Sequence, residues 1–338
     1  MVSDQAEPFV IVRRQGRVGR LTLNRPKAFN ALTLPMIETI AAALDGWRDD
    51  PSIHAVVTDA AGGRVFCAGG DIRDLHRLSM AGAYDEIERF FIIEYALNLA
   101  IARYPKPIVS LIDGLCMGGG IGISVHGSVR VATEAAAFAM PETAIGFFPD
   151  VGATFFLPRL RGVFGMYLGL TGARVGGGDA VWLGLATHFV PRNRLDELAD
   201  AIAVDGVGAI SDFAEPPPPG ALRGLDVDVF GAGSVTEMLA ALEGQGTDWA
   251  QETLKTLRGV SPSAVLWSNE LLRQGALSTL EQCQAAELAM TGQAVRHPDF
   301  LEGVRAMVID KDRTPRWTPG RIEDVDPDMI AGMLADHP

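Results

Sequence analysis

Three consecutive glycines, Gly118-Gly119-Gly120, stand directly behind the apolar run Ile108–Ile112, and this feature constrains the chain more than any other. A glycine run in that place marks backbone that turns sharply and comes close to another group with no side chain in the way. It also leaves main-chain N–H groups able to donate. Two short apolar runs then lead to the block Met140 to Asp150, where Glu142 and Asp150 are separated by Gly146 and Pro149 and set among Ile145, Phe147, Phe148 and Val151. Carboxyl groups in apolar, turn-rich surroundings are candidates for acid–base work, because desolvation raises their pKa towards the working pH.

The chain before this block predicts alternating strands and helices. Phe9–Arg13 and Val18–Leu23 read as a hairpin around Gln15-Gly16-Arg17, closed by Asn24-Arg25-Pro26. Thr33 caps a helix in which Met36, Ile37, Ile40, Ala43, Leu44 and Trp47 recur at helical spacing. Pro51 stops it, and Ile53–Thr58 follows as a buried-type strand. Val65 to Arg73 holds Gly69-Gly70-Asp71, read as a strand end turning into a helix N-terminus where free N–H groups favour negative charge. A glycine turn with Asp71 as a helix cap accounts for the same residues.

In the helix expected over Tyr84–Arg103, Ile87, Phe90, Phe91, Leu97 and Ile101 form one apolar stripe, and Glu94 falls inside it. A glutamate facing a core needs a buried Arg, a wet end of the stripe, or a site. Beyond the glycine run, Val129–Ala132, Ala136–Ala139 and Thr187–Val190 are short strands. Strands interleaved with helices imply an α/β fold with parallel pairing, and no internal repeat shows in the residues. Four prolines, Pro216–Pro219, cannot continue a helix or a central strand. They place a core domain at 1–205, a Pro-rich linker at 206–220 and a mainly helical C-terminal domain at 221–338, with helices at Val235–Leu242, Ala264–Arg273, Leu280–Thr291 and Phe300–Ile309.

Composition excludes several function classes. A length of 338 residues with 48% hydrophobic and 21% charged residues is that of a globular protein with room for a large core. The net charge of −13 argues against nucleic acid, which calls for a basic face, but leaves open an anionic small ligand held by a local Lys/Arg cluster. Cys67, Cys116 and Cys283 have no CxxC spacing, and the six histidines show no ligand spacing, so no disulfide framework and no metal site is expected. Met1–Pro8 carries Asp4 and Glu7 without an apolar region, and no apolar run reaches the roughly 18 residues of a membrane span, so no membrane partner and a cytoplasmic location are expected. The dinucleotide fingerprint, the P-loop and the G-x-S-x-G elbow are absent.

Taken together, Asn24–Leu32, Phe66–Ile72, Met117–Gly120 and Pro141-Glu142 resemble, in order and spacing, the motifs of the crotonase superfamily, the enoyl-CoA hydratase/isomerases. The resemblance implies an α/β core built as a spiral of repeated ββα units, with a helical C-terminal domain. It also implies an acyl-CoA substrate, with Gly70 and Gly119 giving the two backbone N–H donors of an oxyanion hole for the thioester carbonyl. Donors aimed at developing charge are commonly worth about 3 kcal/mol each.

Glu94-Tyr95, Ser124–Gly127, Met140–Gly152, Glu302–Ala306, Ile309–Arg313 and Pro315-Arg316-Trp317 resemble the branch of that family that hydrolyses 3-hydroxyisobutyryl-CoA to 3-hydroxyisobutyrate and CoA, in valine degradation. Carried over, Glu142 is the main catalytic carboxylate, Asp150 its partner, and Glu94, Gly119, Glu142 and Asp150 contact substrate. Glu142 attacks the carbonyl to give a mixed anhydride or acts as base on water; both routes are open. Arg25, Lys27, Ala68, Asp71 and Arg73 are the residues expected at the CoA moiety, and no cofactor is implied because CoA is part of the substrate. Hydratases of the family use a second glutamate that would fall on Gly122, a departure that disfavours water addition to an enoyl-CoA. Hydration or isomerisation of an enoyl-CoA is nonetheless the main rival, and a catalytically silent CoA-binding protein a rival of another class. The resemblance further implies a homo-oligomer, a trimer or hexamer.

Overall fold

The computed structural model describes residues 7–326. The outermost parts of the expected core and C-terminal domains, residues 1–6 and 327–338, lie outside the described residues, with Asp4 and His337 among them. The chain divides into two compact units, each assembled from separated stretches. One takes the chain up to Gly70, Ala96–Phe138 and Val175–Gly220; the other takes Asp71–Tyr95, Ala139–Arg174 and the chain from Ala221.

The strands among the described residues are ten, all but the last residue of β8 in the first unit: β1 Val10–Gln15, β2 Val18–Leu23, β3 Ala55–Ala60, β4 Val65–Cys67, β5 Ile108–Ile112, β6 Leu115–Met117, β7 Val129–Ala132, β8 Ala137–Ala139, β9 Val175–Gly176 and β10 His188–Phe189. They form a six-stranded sheet in the order β1-β2-β3-β5-β7-β10 and a four-stranded sheet in the order β4-β6-β8-β9. Each successive strand pair, β3 with β4, β5 with β6 and β7 with β8, places its first member in the larger sheet and its second in the smaller. This is the ββα repeat, and it lives in the backbone path; side chains along the pairs differ too much for a sequence repeat to show. β6, hidden in the glycine-rich stretch, was not expected as a strand.

The hairpin β1–β2 has Val10 opposite Leu23 and Gln15 opposite Val18. All other pairings of the larger sheet are parallel. Interior strands of a parallel sheet are covered on both faces and so read as continuous apolar runs; every residue of β5, IVSLI, is buried. Val18, Val57, Val109, Leu111 and Val131 pack with Leu198, Ile202, Ile210 and Phe213 in one core cluster.

That cluster explains a difference from the expected linker. Residues Val207–Ala209 form a 3-10 turn and Ile210–Phe213 a short helix, because Ile210 and Phe213, three apart, both reach the core. The four prolines themselves lie in neither helix nor strand, as their missing N–H groups require. Glu215, just before them, donates its amide to the Phe189 carbonyl at 2.9 Å.

In the second unit the helices Val235–Gln245, Asp248–Gly259, Pro262–Gly275 and Leu280–Ala294 begin at Ser234, Thr247, Ser261 and Thr279, each side chain accepting from an amide of the first turn. The Asp248–Gly259 helix was not expected. The last expected helix, Phe300–Ile309, begins at Pro298 and passes at Arg305 into a π-turn, Arg305–Ile309. Arg305 there forks onto Glu302 at 2.9 and 2.8 Å and reaches Asp310 at 2.7 Å and Asp312 at 2.6 Å.

Truncation of Leu198, fully buried against the larger sheet, removes core volume that rigid strands cannot refill. Leu198→Ala is expected to cost about 2–5 kcal/mol in denaturant unfolding; a loss below about 1 kcal/mol contradicts this account of the core.

Candidate active site

Two glycine corners meet in the first unit. β4 and β6 pair in parallel, with a register irregularity between Val65 and Cys67, and each strand ends in its own turn, Ala68-Gly69-Gly70 after β4 and Gly118-Gly119 after β6. A Cβ on Gly69 (φ +95°) would stand 3.4 Å from the Gly119 nitrogen and 3.2 Å from the Met117 carbonyl oxygen; one on Gly120 would stand 2.6 Å from the Cys67 carbonyl oxygen. Only glycine permits so close an approach of two backbones. Gly119 opens the helix Gly119–Val125, so its amide has no acceptor within that helix. The loop Asn24–Leu32 is laced to the first corner: Ala68 donates to the Phe29 carbonyl at 3.1 Å and Leu32 to the Gly69 carbonyl at 2.8 Å. Buried Asn30 ties the loop down through Ala61 and Val65. Gly122 is buried in the same helix as Gly119.

The residues expected at CoA fall as follows. Arg25 is half-buried, donating to the Ala31 carbonyl at 3.1 Å with its guanidinium over the Phe9 ring, and Lys27 is exposed. Ala68 is half-buried at the first corner. Asp71 caps the helix Ile72–Met80 by position, though its side chain bonds none of the helix amides. Exposed Arg73 donates to the Val308 carbonyl at 2.8 Å.

The second unit gathers the acids. Glu94 is 2% exposed, Glu142 8% and Asp150 5%. Glu142 opens the 3-10 turn Glu142–Ile145, which Gly146 ends at φ +68°. A Cβ on Gly146 would lie 2.3 Å from the Asp299 carbonyl oxygen, and one on Gly303 2.5 Å from the Ile145 carbonyl carbon, so two glycines let the Pro298–Val304 helix lie directly on the turn that carries Glu142. Phe147 stacks on Phe148 at 4.5 Å and on Phe91 at 5.7 Å, and meets Phe300 at 5.9 Å. Water is thereby kept from the acids, and the stripe that put Glu94 on a buried face is observed: Ile87, Phe90, Phe91, Leu97 and Ile101 are all buried.

The Tyr95 hydroxyl donates to Asp150 Oδ2 at 2.8 Å and lies 3.3 Å from Thr291 Oγ1. Burial, reinforced by the nearby Asp150 charge, pushes Glu94 and Glu142 well above the usual carboxyl range. Burial also raises Asp150 to about 7, against the lowering effect of the Tyr95 hydrogen bond. Among the described residues no Lys or Arg pairs with these acids, and one oxygen each of Glu94 and Glu142 has no hydrogen-bond partner. Interacting groups of this kind share protons, so their apparent pKa values belong to the cluster. Such acids, partly protonated near neutrality, can give or take a proton from a bound substrate.

Directly after Asp150 come two left-handed residues, Val151 at φ +54° and Gly152 at φ +82°. A β-branched residue held there stores about 1–3 kcal/mol. Glu287, fully buried in the Leu280–Ala294 helix, closes on this turn. Its carboxyl accepts from the Gly152 amide at 2.7 Å, the Thr154 amide at 3.0 Å and the Thr154 hydroxyl at 2.6 Å. Sequence reasoning gave Tyr95 no role and passed over Glu287 and Thr291. The signal was present: Leu280, Cys283, Glu287, Met290 and Ala294 form the same kind of stripe that exposed Glu94. Among the described residues no cluster of His, Cys, Asp and Glu is arranged to hold a metal ion, and no helix is long and apolar enough to cross a membrane.

Paired glycine corners on a repeated ββα frame in one unit, and a set of water-excluded acids in the other, are the features of a crotonase-type chain. The family model for enoyl-CoA hydratase/isomerase matches residues 18–334, and the protein belongs to that family. It is similar to the mitochondrial 3-hydroxyisobutyryl-CoA hydrolase of Rattus norvegicus, 41% identical over 331 residues, 94% of this chain and 86% of the relative. It is also similar to 3-hydroxyisobutyryl-CoA hydrolase 1 of Arabidopsis thaliana, 40% identical over 340 residues, 95% of this chain and 90% of the relative. Among solved structures, a carnitinyl-CoA dehydratase from Mycobacterium thermoresistibile superposes with a TM-score of 0.93 at 38% identity, covering 97% of this chain and 96% of the other. An enoyl-CoA hydratase from Rhodobacter sphaeroides gives 0.91 at 44%, covering 97% of each chain.

The raised carboxyls couple protonation to stability. Asp150 at about 7 and Glu287 at about 8 keep protons in the folded protein that the unfolded chain releases near pH 4. Stability from those protons is complete below the unfolded pKa and is lost as pH rises through 7 and 8. The denaturant midpoint is therefore expected to fall between pH 5 and pH 8, and to fall less in Asp150→Asn; an equally steep fall in the variant contradicts the shift at Asp150.

Proposed function

We propose that this protein hydrolyses a short-chain 3-hydroxyacyl-CoA thioester, with 3-hydroxyisobutyryl-CoA as substrate and 3-hydroxyisobutyrate and CoA as products. The observation that carries the reading is the set of buried acids, Glu94, Glu142 and Asp150, with no Lys or Arg against them among the described residues, in a chain that has Gly122 where the hydratases' second glutamate would fall. Relatives named for this hydrolase match along nearly the whole chain. In this reading the amides of Gly70 and Gly119 receive the thioester oxygen as it becomes negative. Glu142 adds to the carbonyl carbon or takes a proton from the water that does; the carbon–sulfur bond then breaks, and the departing CoA sulfur receives a proton from the buried acids. On the first route water then cleaves the Glu142 anhydride, which releases the hydroxy acid and restores the carboxyl group. Asp150 is the proton partner or holds the substrate's 3-hydroxyl, and Glu94 contacts the acyl group.

The CoA-facing roles of Arg25, Lys27, Ala68, Asp71 and Arg73 belong to the same proposal; Arg25 and Arg73 would have to exchange main-chain carbonyls for phosphates. Carboxyl groups and amides suffice for the chemistry, so the proposal needs no cofactor beyond the CoA of the substrate. Valine breakdown, a cytoplasmic location and a trimer or hexamer are its further parts; the rat relative is named mitochondrial, so cell fractionation decides location, and light scattering decides assembly.

One rival has an observation of its own. The two solved relatives are named a dehydratase and a hydratase, which favours lyase chemistry on an acyl-CoA. Comparing free-thiol release from 3-hydroxyisobutyryl-CoA with loss of enoyl absorbance from crotonyl-CoA separates the readings. Glu142→Gln and Asp150→Asn are each expected to lower thiol release at least 100-fold. Wild-type turnover in either folded variant removes that residue from the chemistry.

A further inference from the structure

Glu287 sits on a helix of the C-terminal region, more than 130 residues away in sequence from the acids of the proposed reaction, and no catalytic motif contains it. Its carboxyl nevertheless engages three donors of the turn that begins at Asp150: the Gly152 amide, the Thr154 amide and the Thr154 hydroxyl. The first two are amides at the start of the short helix Ala153–Phe156, which has no acceptor of its own for them. The turn they stabilise is one the chain would not adopt by itself, since Val151 and Gly152 are both left-handed. On the other side of the turn Tyr95 Oη donates to Asp150 Oδ2, and the same hydroxyl meets Thr291, which is one turn beyond Glu287 on its helix and donates to the Glu287 carbonyl at 2.9 Å. One helix therefore reaches the Asp150 segment twice, directly through Glu287 and by way of Tyr95 through Thr291.

We propose that Glu287 is the positioning residue for Asp150: by holding the left-handed turn from below, it sets the Asp150 carboxyl against the Tyr95 hydroxyl and keeps it out of water. This deepens, and rests on, the reading of Asp150 as the proton partner in thioester hydrolysis. Glu287 is not a catalytic residue, because its two oxygens are already taken by the turn. Removing it frees the turn to relax to right-handed backbone, which swings Asp150 away from Tyr95 and admits water. The titratable groups facing Glu287 are Asp150, Tyr95 and Cys283, the last with Arg159 beside it. Entry of water relieves the burial that raises Asp150, the largest influence on it, and this outweighs the loss of the Tyr95 hydrogen bond that lowers it, so its titration moves down from about 7.

The test uses the full chain and Glu287→Gln, which keeps the shape but turns one acceptor into a donor facing an amide. Per folded molecule, kcat for thiol release is expected to fall at least tenfold with KM within about threefold. Adding Tyr95→Phe to Glu287→Gln is expected to cost less than Tyr95→Phe costs the wild type, since both act through Asp150. Carbon-13 NMR titration of the Asp150 carboxyl needs no turnover and is expected to show the downward shift; it therefore still reads the proposal if the wild type releases no thiol from any 3-hydroxyacyl-CoA, an outcome that defeats the functional reading alone. Should Glu287→Gln not fold, Thr154→Val removes one of the three donors and is expected to act in the same direction more weakly. Unchanged kcat and an unchanged Asp150 titration in a folded variant, or fully additive effects with Tyr95→Phe, overturn the assignment.

Discussion

Carboxyl groups taken out of water without a cation are costly unless they share protons or find donors, and Glu94, Glu142, Asp150 and Glu287 of the second unit stand in that position among the described residues. Their surroundings answer that cost in different ways. Glu287 has three donors from one turn, and Asp150 has the Tyr95 hydroxyl. Glu94 and Glu142 keep an oxygen without a partner, and burial raises both well above the usual carboxyl range. The stacked Phe91, Phe147 and Phe148 maintain the exclusion of water on which every one of these shifts depends. A Lys or Arg beside one of the acids would favour its ionised form and weaken its capacity to give a proton near neutrality.

Backbone conformation does the placing. Glu142 stands on a turn that can lie against the Pro298–Val304 helix only because Gly146 and Gly303 carry no side chain. Asp150 precedes two left-handed residues, and the first of them, Val151, adopts that conformation against its own preference. In the first unit the corners after β4 and β6 approach through Gly69, Gly119 and Gly120. Strain and close approach thus occur where chemistry is proposed, as they also do elsewhere in the chain, at Gly165 and Lys311 for example.

The C-terminal residues that carried part of the resemblance also have a structural role. Glu302, Arg305, Asp310 and Asp312 form one ion-pair hub that folds the chain back after the π-turn. The indole of Trp317 donates to the Gly259 carbonyl, and buried Asp299 accepts from Ser261 and from the Thr318 amide. These contacts anchor the segment after the Pro298–Val304 helix, and so support the helix against which the Glu142 turn rests.

What could be read without coordinates were local quantities. Apolar periodicity located most of the strands and helices and put Glu94 on a buried face; Thr33 at one helix start, prolines at helix ends and glycines at turns marked the boundaries. Those signals work because each depends on residues within about one helical turn of one another. The same logic was available for Glu287 but needed knowledge of what its stripe would meet. The role of Tyr95, the grip of Glu287 on the Asp150 turn and the burial of Ile210 and Phe213 in a segment that looked like linker arise from partners 50 to 200 positions away or on neighbouring elements, as with Tyr95 and Thr291 at a separation of 196. Propensity carries no information about such partners. Long-range packing decides which acid loses its water and which donor it receives in exchange, and that assignment belongs to the tertiary structure alone.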